Sequence, residues 1–575
     1  MRRLLLLGFA LLLQALAVMA QPATYRNPVI NADVPDISVC KVADTYYMIS
    51  TTMHLMPGGP IMRSKDMINW EVVSYVFDRI DDGPRYNLEN GATVYGQGQW
   101  ASSIRYHMGR FYVWFTANGA PGKGFVFSAP RAEGPWTLVS RPAHKHDGSL
   151  FFDEDGRVYM FHENGRLTEL QTEADPQPYD TKPGGVDMQL FERDEEERGA
   201  LLEGSSVIKH NGKYYLCMIS MKWGVPGRVR REVCYRADQI TGPYEKHIIL
   251  ETPFETYGGV GQGCLVGDAE SDQGWWALIF QDRGGIGRTP CAMPVTWVDG
   301  WPMCGELNDG VDKDDVEACL NPRNYHIPND VSVKHPSVKG LIGSDDFSLP
   351  ASFYDKEAKY SYHERTGLSI YWQWNHNPID EAWSLMERPG YMRLRTARVV
   401  DNLNVAPNTL TQRMSAPECT GSVCIDIAHM QDGDVCGLAA YNGDSGVLRI
   451  VKRGGKVYLQ LTSEKSVFKR PRDIERVDVE VVDEVQLKVR KSRTQDGIAS
   501  QLVYLRVHGD FNPGRDMAAF SYSLDGEHWS TFDHELPMRF DYMRHFMGTK
   551  FAIFNYATKQ VGGYVDVDWF RFEED

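Results

Sequence analysis

Five stretches decide the fold: DTYYMIST (Asp44–Thr51), GRFYVWFTA (Gly109–Ala117), GRVYMFHE (Gly156–Glu163), GKYYLCMIS (Gly212–Ser220) and GWWALIF (Gly274–Phe280). Each is a short run built on an aromatic or apolar doublet and led by a Gly or Asp turn, the pattern of a strand fed by a tight hairpin. The second doublet residues, Tyr47, Tyr112, Tyr159, Tyr215 and Trp276, stand 65, 47, 56 and 61 residues apart. A four-stranded propeller blade takes roughly 40 to 50 residues plus its loops. A second echo follows several doublets, in SKDMINWEVV (Trp70), APRAEGPWTLV (Trp136) and ADQITGPYEKH (Tyr244), each reading as a turn into an outer strand. One hairpin of this kind would suit a β-sandwich equally well; five in succession favour a five-bladed β-propeller.

Upstream of the doublets a second register emerges. Asp36, Trp100, Asp147 and Glu203 lie 10, 11, 11 and 11 residues before Tyr46, Phe111, Val158 and Tyr214. The first strand of each blade lines the propeller channel, so residues at one repeat position converge near the axis. A single Asp before a strand is most simply a turn or cap residue, but three carboxylates in equivalent register are better explained as a site. Like charges crowded in a partly dry funnel cannot all stay ionised, so such a cluster suits acid–base chemistry. Glycoside hydrolysis needs one protonated and one ionised carboxyl, about 6.5 to 9.5 Å apart when the ionised one activates water. Clustered carboxylates can also bind metal, but no helical His pair, Cys pair or Asp-rich Ca²⁺ loop accompanies these, so the reading carries no metal at the site.

Composition agrees with a β-rich chain and narrows its partner. The 575 residues exceed one compact domain, and aromatics make up 11% beside 53 Gly and 30 Pro. Asp plus Glu (77) outnumber Lys plus Arg (61), giving −16, a balance that repels nucleic acid and anionic membrane surfaces. A neutral ligand met by aromatic faces and carboxylates, such as a sugar, fits better. Arg2 and Arg3 followed by the apolar run Leu4–Leu16 and by Val18-Met19-Ala20 read as a signal peptide over residues 1–20, cleaved before Gln21, which implies a periplasmic or secreted protein. No Cys follows the cleavage point and no later run is long enough to span a bilayer, so no membrane anchor is expected. The ten cysteines are scattered and read as mostly buried free thiols, with a Cys419–Cys424 bridge as a weaker alternative.

At this point the residues resemble glycoside hydrolase family 43, five-bladed propellers that cleave pentose glycosides with inversion. YRNPVINADVPDIS (25–38), GQWASSIRYHMGRFY (98–112), HDGSLFFDEDGRVY (146–159), EGSSVIKHNGKYYL (203–216) and IGRTPCAMPVTWVDGWP (286–302) carry the likeness, which extends over the whole mature chain. The resemblance implies Asp36 as general base, Glu203 as general acid, Asp147 as the residue that tunes and orients the acid, Trp100 facing the site, and Arg288 contacting the sugar. Where many members carry an axial His in the fifth blade, YGGVGQGCLVGD (257–268) offers Gln262, so a central cation is not carried over and no cofactor is expected. His54 and Met56 in the MHLMPGG loop read as apolar pocket wall, with an ordinary blade connection as the alternative. Asp33 reads as structural, because Asp36 is the residue in register.

After WPMCGELNDG the echoes stop. The reading places the catalytic propeller at 21–320, a linker at 321–343, and a β-sandwich of jelly-roll, concanavalin-like type at 344–575, from hairpins such as GVLRIVKRGGKVYLQLT and GGYVDVDWFRFEE. Trp372 and Trp374 read as core in preference to a sugar platform. Asp345, Asp346 and Asp566 read as solvated turn and strand-end residues, with a structural Ca²⁺ as the alternative. The expected function is an exo-acting inverting hydrolase releasing xylose or arabinose from hemicellulose, its partner a pentose-containing oligosaccharide or polysaccharide. An endo-arabinanase, a fructosidase, whose Asn-Asp-Pro-Asn opening is absent, and a non-catalytic sugar-binding propeller are the alternatives.

Overall fold

The computed structural model describes residues 23–574 apart from 119–122, 196–198, 223–229, 334–335, 337, 339, 356–357, 491 and 494–498. The expected leader at 1–20 lies outside the described residues. The first half is five antiparallel four-stranded sheets. Their innermost strands are Ser38–Val42, Gln99–His107, Ser149–Phe152, Ala200–His210 and Gly263–Val266, and each contacts the next in a closed ring. All five doublets fall in the second strand of a blade, where both edges are paired and the aromatic faces pack between blades. Trp70, Trp136 and Tyr244 each stand one residue before an outermost strand: Glu71–Phe77, Thr137–Ser140 and Glu245–Leu250.

Among the described residues no strand is exchanged between the first and last blades. The ring closes instead through an apolar cluster in which Ile37, Val39 and Met48 of the first blade meet Cys264, Leu278 and Ala292 of the fifth. The segment read as a linker also contributes: Asp330–Val333 pairs antiparallel with Ala23–Arg26, and Gly340 N–H donates to the Trp70 carbonyl.

The second half packs two large antiparallel sheets around one core. Trp372 and Trp374 are fully buried there, with indole N–H groups donating to Asp345 Oδ2 (2.9 Å) and to the Tyr362 hydroxyl (3.0 Å). The solvated reading of Asp566 is corrected: its buried carboxylate accepts from Arg388 and Arg393 at 2.7–2.9 Å. Asp345 accepts from Phe347 N and Trp372, and Asp346 from Arg571, so the oxygens a Ca²⁺ would need serve the chain's own donors. All ten cysteines are free and nine are buried. Cys419 and Cys424 share the strand Glu418–Asp426, where five residues of extended chain set them about 17 Å apart, beyond the reach of a disulfide.

The two halves are joined by strand pairing. Leu55–Met56, inside the MHLMPGG loop, adds an edge to one sandwich sheet by pairing with Trp374 and Asn375. This overturns the expected pocket role of His54 and Met56. Both are fully buried at the joint, with the His54 ring against Tyr95 (4.6 Å), His376 (5.0 Å) and His545 (5.9 Å). Burial holds the imidazole of His54 well below its ordinary pKa, as expected for a ring kept neutral in an apolar joint.

Candidate active site

A cavity of about 520 Å³ opens over the axial end where the innermost strands begin. Four of the five inner strands share one backbone device, just before the strand at Asp36 (φ +51°), Asp147 (+48°) and Gln262 (+70°) and at a bulge within Ala200–His210 at Gly204 (+71°). The left-handed kink turns the chain into the channel and projects the side chain at the kink, or just before it, toward the axis. Non-glycine residues rarely adopt this region, and three of them holding it in one ring marks the site. Gly204 has a second reason to be glycine, because a Cβ there would lie 2.6 Å from Gln262 Cγ.

On one wall Asp36 is locked to Arg288, whose Nη1 reaches both carboxylate oxygens at 3.0 and 3.2 Å. Both side chains are buried, 8% and 3% exposed. Asp33 positions this wall: its carboxylate accepts the backbone N–H of Arg288 (2.9 Å) and of Gly548 from the sandwich (2.8 Å). The structural reading of Asp33 therefore agrees with what it contacts.

The opposite wall has a different character. His146 Nε2 lies 3.6 Å from Asp147 Oδ1 and 3.5 Å from Glu203 Oε2. Asp147 Oδ2 accepts the N–H of Gly204 (3.1 Å) and so fixes the backbone that carries Glu203. Asp147 is 5% exposed and Glu203 29%, which leaves Glu203 open to a ligand. Burial is the largest cause that pushes the Asp147 carboxyl up, to about 7, and the charges of Glu203 and Asp36 add to it. The Asp147 charge in turn holds a proton on His146, whose pKa rises to about 9.

Trp100 stands between the walls, 5.5 Å from the His146 ring and 5.6 Å from Phe546. Gln262 lines the cavity floor with its backbone N–H donating to the buried Glu232 (2.9 Å), a carboxyl that burial raises to about 8. Below the floor the channel narrows to a void of about 20 Å³ bordered by all five blades. Two serines of its lining, Ser38 and Ser149, also face the half-buried Arg105, which donates to Ser149 Oγ (2.6 Å) and lies within bonding distance of Ser38 Oγ and the Val207 carbonyl. The guanidinium beside the void and the Gln262 amide in place of an imidazole are a poor match for a cation on the axis. The ligand atoms of His146, Asp147 and Glu203 lie within 4.8 Å of one another, and a metal there would have to displace the proton from His146.

The cavity thus brings together Asp36, Asp147, Glu203, Trp100, Arg288 and Gln262 and leaves out His54. It also holds residues the sequence reading did not single out. His146 directly precedes a register residue, and that position was its only signal. Arg472, Phe540, Tyr542 and Phe546 come from the sandwich and close one side, while Arg230 and Asp282 form an ion pair at 2.8 Å.

The profile described as Glycosyl hydrolases family 43 matches residues 25–302, and that of the Beta xylosidase C-terminal Concanavalin A-like domain matches 361–573. A "Beta-xylosidase" of Formosa agariphila is 30% identical over 606 aligned positions, covering 96% of this chain and 90% of that protein. A non-reducing end α-L-arabinofuranosidase of Bacteroides ovatus is 28% identical, over 75% of this chain and 77% of the other. Among solved structures, the "Bifunctional GH43-CE" protein of Bacteroides eggerthii superposes with a TM-score of 0.80 at 37% identity, covering 96% of this chain; the chain spans 64% of that protein's length. The chain belongs to family 43 of the glycosyl hydrolases and is a glycoside hydrolase.

Proposed function

We propose that the protein is an exo-acting, inverting hydrolase that releases a pentose, xylose or arabinose, from hemicellulose oligosaccharides. The observation that carries this is the contrast between the walls: a carboxyl clamped by a guanidinium faces two carboxyls that share one imidazole, one of them open to a ligand. Asp36, paired with Arg288, deprotonates a water that attacks the anomeric carbon. Glu203 gives its proton to the departing oxygen. Asp147 and His146 keep a proton next to Glu203, and the Asp147 bond to Gly204 aims it. Arg288, with its Nη2 directed at the Phe546 carbonyl (3.3 Å), presents its remaining donor edge to sugar hydroxyls.

The exo mode is supported by the sandwich residues that close one side of the cavity, since a groove for internal cleavage would have to stay open at both ends. The names of the two relatives above support a pentose as the released sugar. A hydrolysis panel tests the proposal: aryl β-xyloside, aryl α-L-arabinofuranoside, xylobiose and arabinan, with proton NMR of the first-formed sugar. Monosaccharide of inverted anomeric configuration is expected. Retention would remove the water-activating role of Asp36, oligosaccharides released from arabinan would favour an endo enzyme, and no turnover of any substrate would reject pentoside hydrolysis.

A further inference from the structure

The sandwich places a cation in the cavity that the proposed hydrolysis does not use. Arg472 sits in the two-residue turn Pro471-Arg472 between the long strands Lys456–Arg470 and Asp473–Leu487, which pair up to Arg470 and Asp473. Its φ is +60°, at a turn position that favours Gly or Asn, so a backbone cost is accepted to keep this residue there. The turn is pinned on both faces: Arg472 N–H donates to the Met543 carbonyl (2.9 Å), and Gln97 Nε2 of the propeller donates to the Arg472 carbonyl (2.9 Å). The guanidinium lies 4.7 Å from the Trp100 ring centroid and 5.2 Å from that of Phe546. Its Nε donates to the Tyr542 carbonyl (3.2 Å).

Of the guanidiniums lining the cavity among the described residues, Arg288 is paired with Asp36 and Arg230 with Asp282. Arg472 makes no salt bridge with a described carboxylate, and its Nη1 and Nη2 have no hydrogen-bond partner among the described residues. The aromatic faces of Trp100 and Phe546 hold it flat, leaving the forked edge toward the cavity. The His146 ring also lies 5.5 Å from Trp100, tilted by 53°, so the indole neighbours both basic side chains.

Depth assigns this edge to one side of the scissile bond. Asp36 and Arg288 lie on the buried floor, where the cleaved sugar sits. Glu203 and His146, 29% and 28% exposed, stand nearer the mouth, and half-buried Arg472 stands with them. We infer that Trp100, Arg472 and His146 form a subsite on the leaving-group side that binds the carboxylate of a uronic acid, so that the preferred substrate is a pentosyl unit linked to an acidic sugar. A planar carboxylate matches the fork of a guanidinium bidentately, as a single sugar hydroxyl does not. The inference rests on the proposed pentosidase reading for its catalytic side.

The test compares kcat/KM on a pentosyl-uronate disaccharide and on its methyl ester, in the wild type, Arg472→Gln and Arg472→Lys. The wild type should prefer the acid by about tenfold, in line with the strength of a charge-assisted bond. The ratio should fall to near one in Arg472→Gln and lie between in Arg472→Lys; because it is taken within each variant, losses through misfolding cancel. A wild-type ratio near one, or a ratio unchanged in Arg472→Gln, overturns the subsite. Binding of glucuronate against glucose, read by quenching of tryptophan fluorescence, decides the matter even if no pentoside is turned over. Tighter glucuronate binding that is lost in Arg472→Gln supports the subsite, and equal binding of the two sugars rejects it.

Discussion

On the floor wall of the cavity Asp36 meets Arg288 directly, with both side chains buried and one contact satisfying both charges. On the opposite wall two carboxyls meet one imidazole at 3.5–3.6 Å, and one of the two is left partly open to solvent. The same residue type, at the same register position of a repeated unit, is thus placed in two electrostatic environments. A neighbouring cation favours the charged form of a carboxyl, whereas burial and neighbouring carboxylates favour the neutral form. The repeat delivers identical backbone positions, and the residues around each position divide the labour. If the comparison is right, the walls should fail differently when altered.

The largest effect should come from the floor wall. Asp36→Asn keeps the shape and removes the base, and kcat should fall by about 10³- to 10⁴-fold, the upper range for general acid–base catalysis. The loss should be the same for substrates with good and poor leaving groups, because attack by water is impaired in every case. Steady-state rates on a dinitrophenyl pentoside and on xylobiose measure it. A loss that vanished on the activated substrate would make Asp36 an acid and reverse the walls.

The acid wall should show the opposite dependence. Glu203→Ala should cost about 10²-fold on xylobiose and far less on an aryl glycoside whose phenol departs without a proton. Equal losses on both would show that Glu203 is not the proton donor.

How far these walls could be read from the chain depends on the range of the interactions that build them. Asp36, Trp100, Asp147 and Glu203 were legible because the repeat copies one local geometry, and a spacing of 10 or 11 residues to the next strand survives in sequence. The left-handed φ values that execute the geometry were not legible, since Gln does not announce such a kink and Asp, though enriched there, far more often adopts other conformations. His146 was hidden in plain sight beside Asp147. Arg472 and Phe546 had no signal, because they reach the cavity only when a hairpin tip and a loop of the sandwich pack against Trp100, over sequence separations that no local pattern records. His54 shows the converse error. Its loop looked free to line the pocket, but Leu55–Met56 is consumed by pairing with Trp374 and Asn375, a partner more than 300 residues away.

The smallest effect, and the most specific to the acid wall, concerns its protons. Asp147→Asn removes the group that raises His146, and kcat at neutral pH should fall by about tenfold, since both Glu203 and its aim remain. The pH dependence separates this from a simple loss of packing. Asp147 is raised from 3.8 to about 7 and His146 from 6.5 to about 9, so the folded chain binds more protons than the unfolded chain across that whole window. Stability contributed by these groups is then fully present at the acidic end and is lost as pH rises toward 9. In Asp147→Asn the decline of Tm between about pH 4 and 9 should flatten, and the alkaline limb of kcat that begins near pH 7 in the wild type should move. If the limb and the Tm profile both stayed in place, the proton would not reside on the Asp147–His146 pair, and the two walls would differ only in depth.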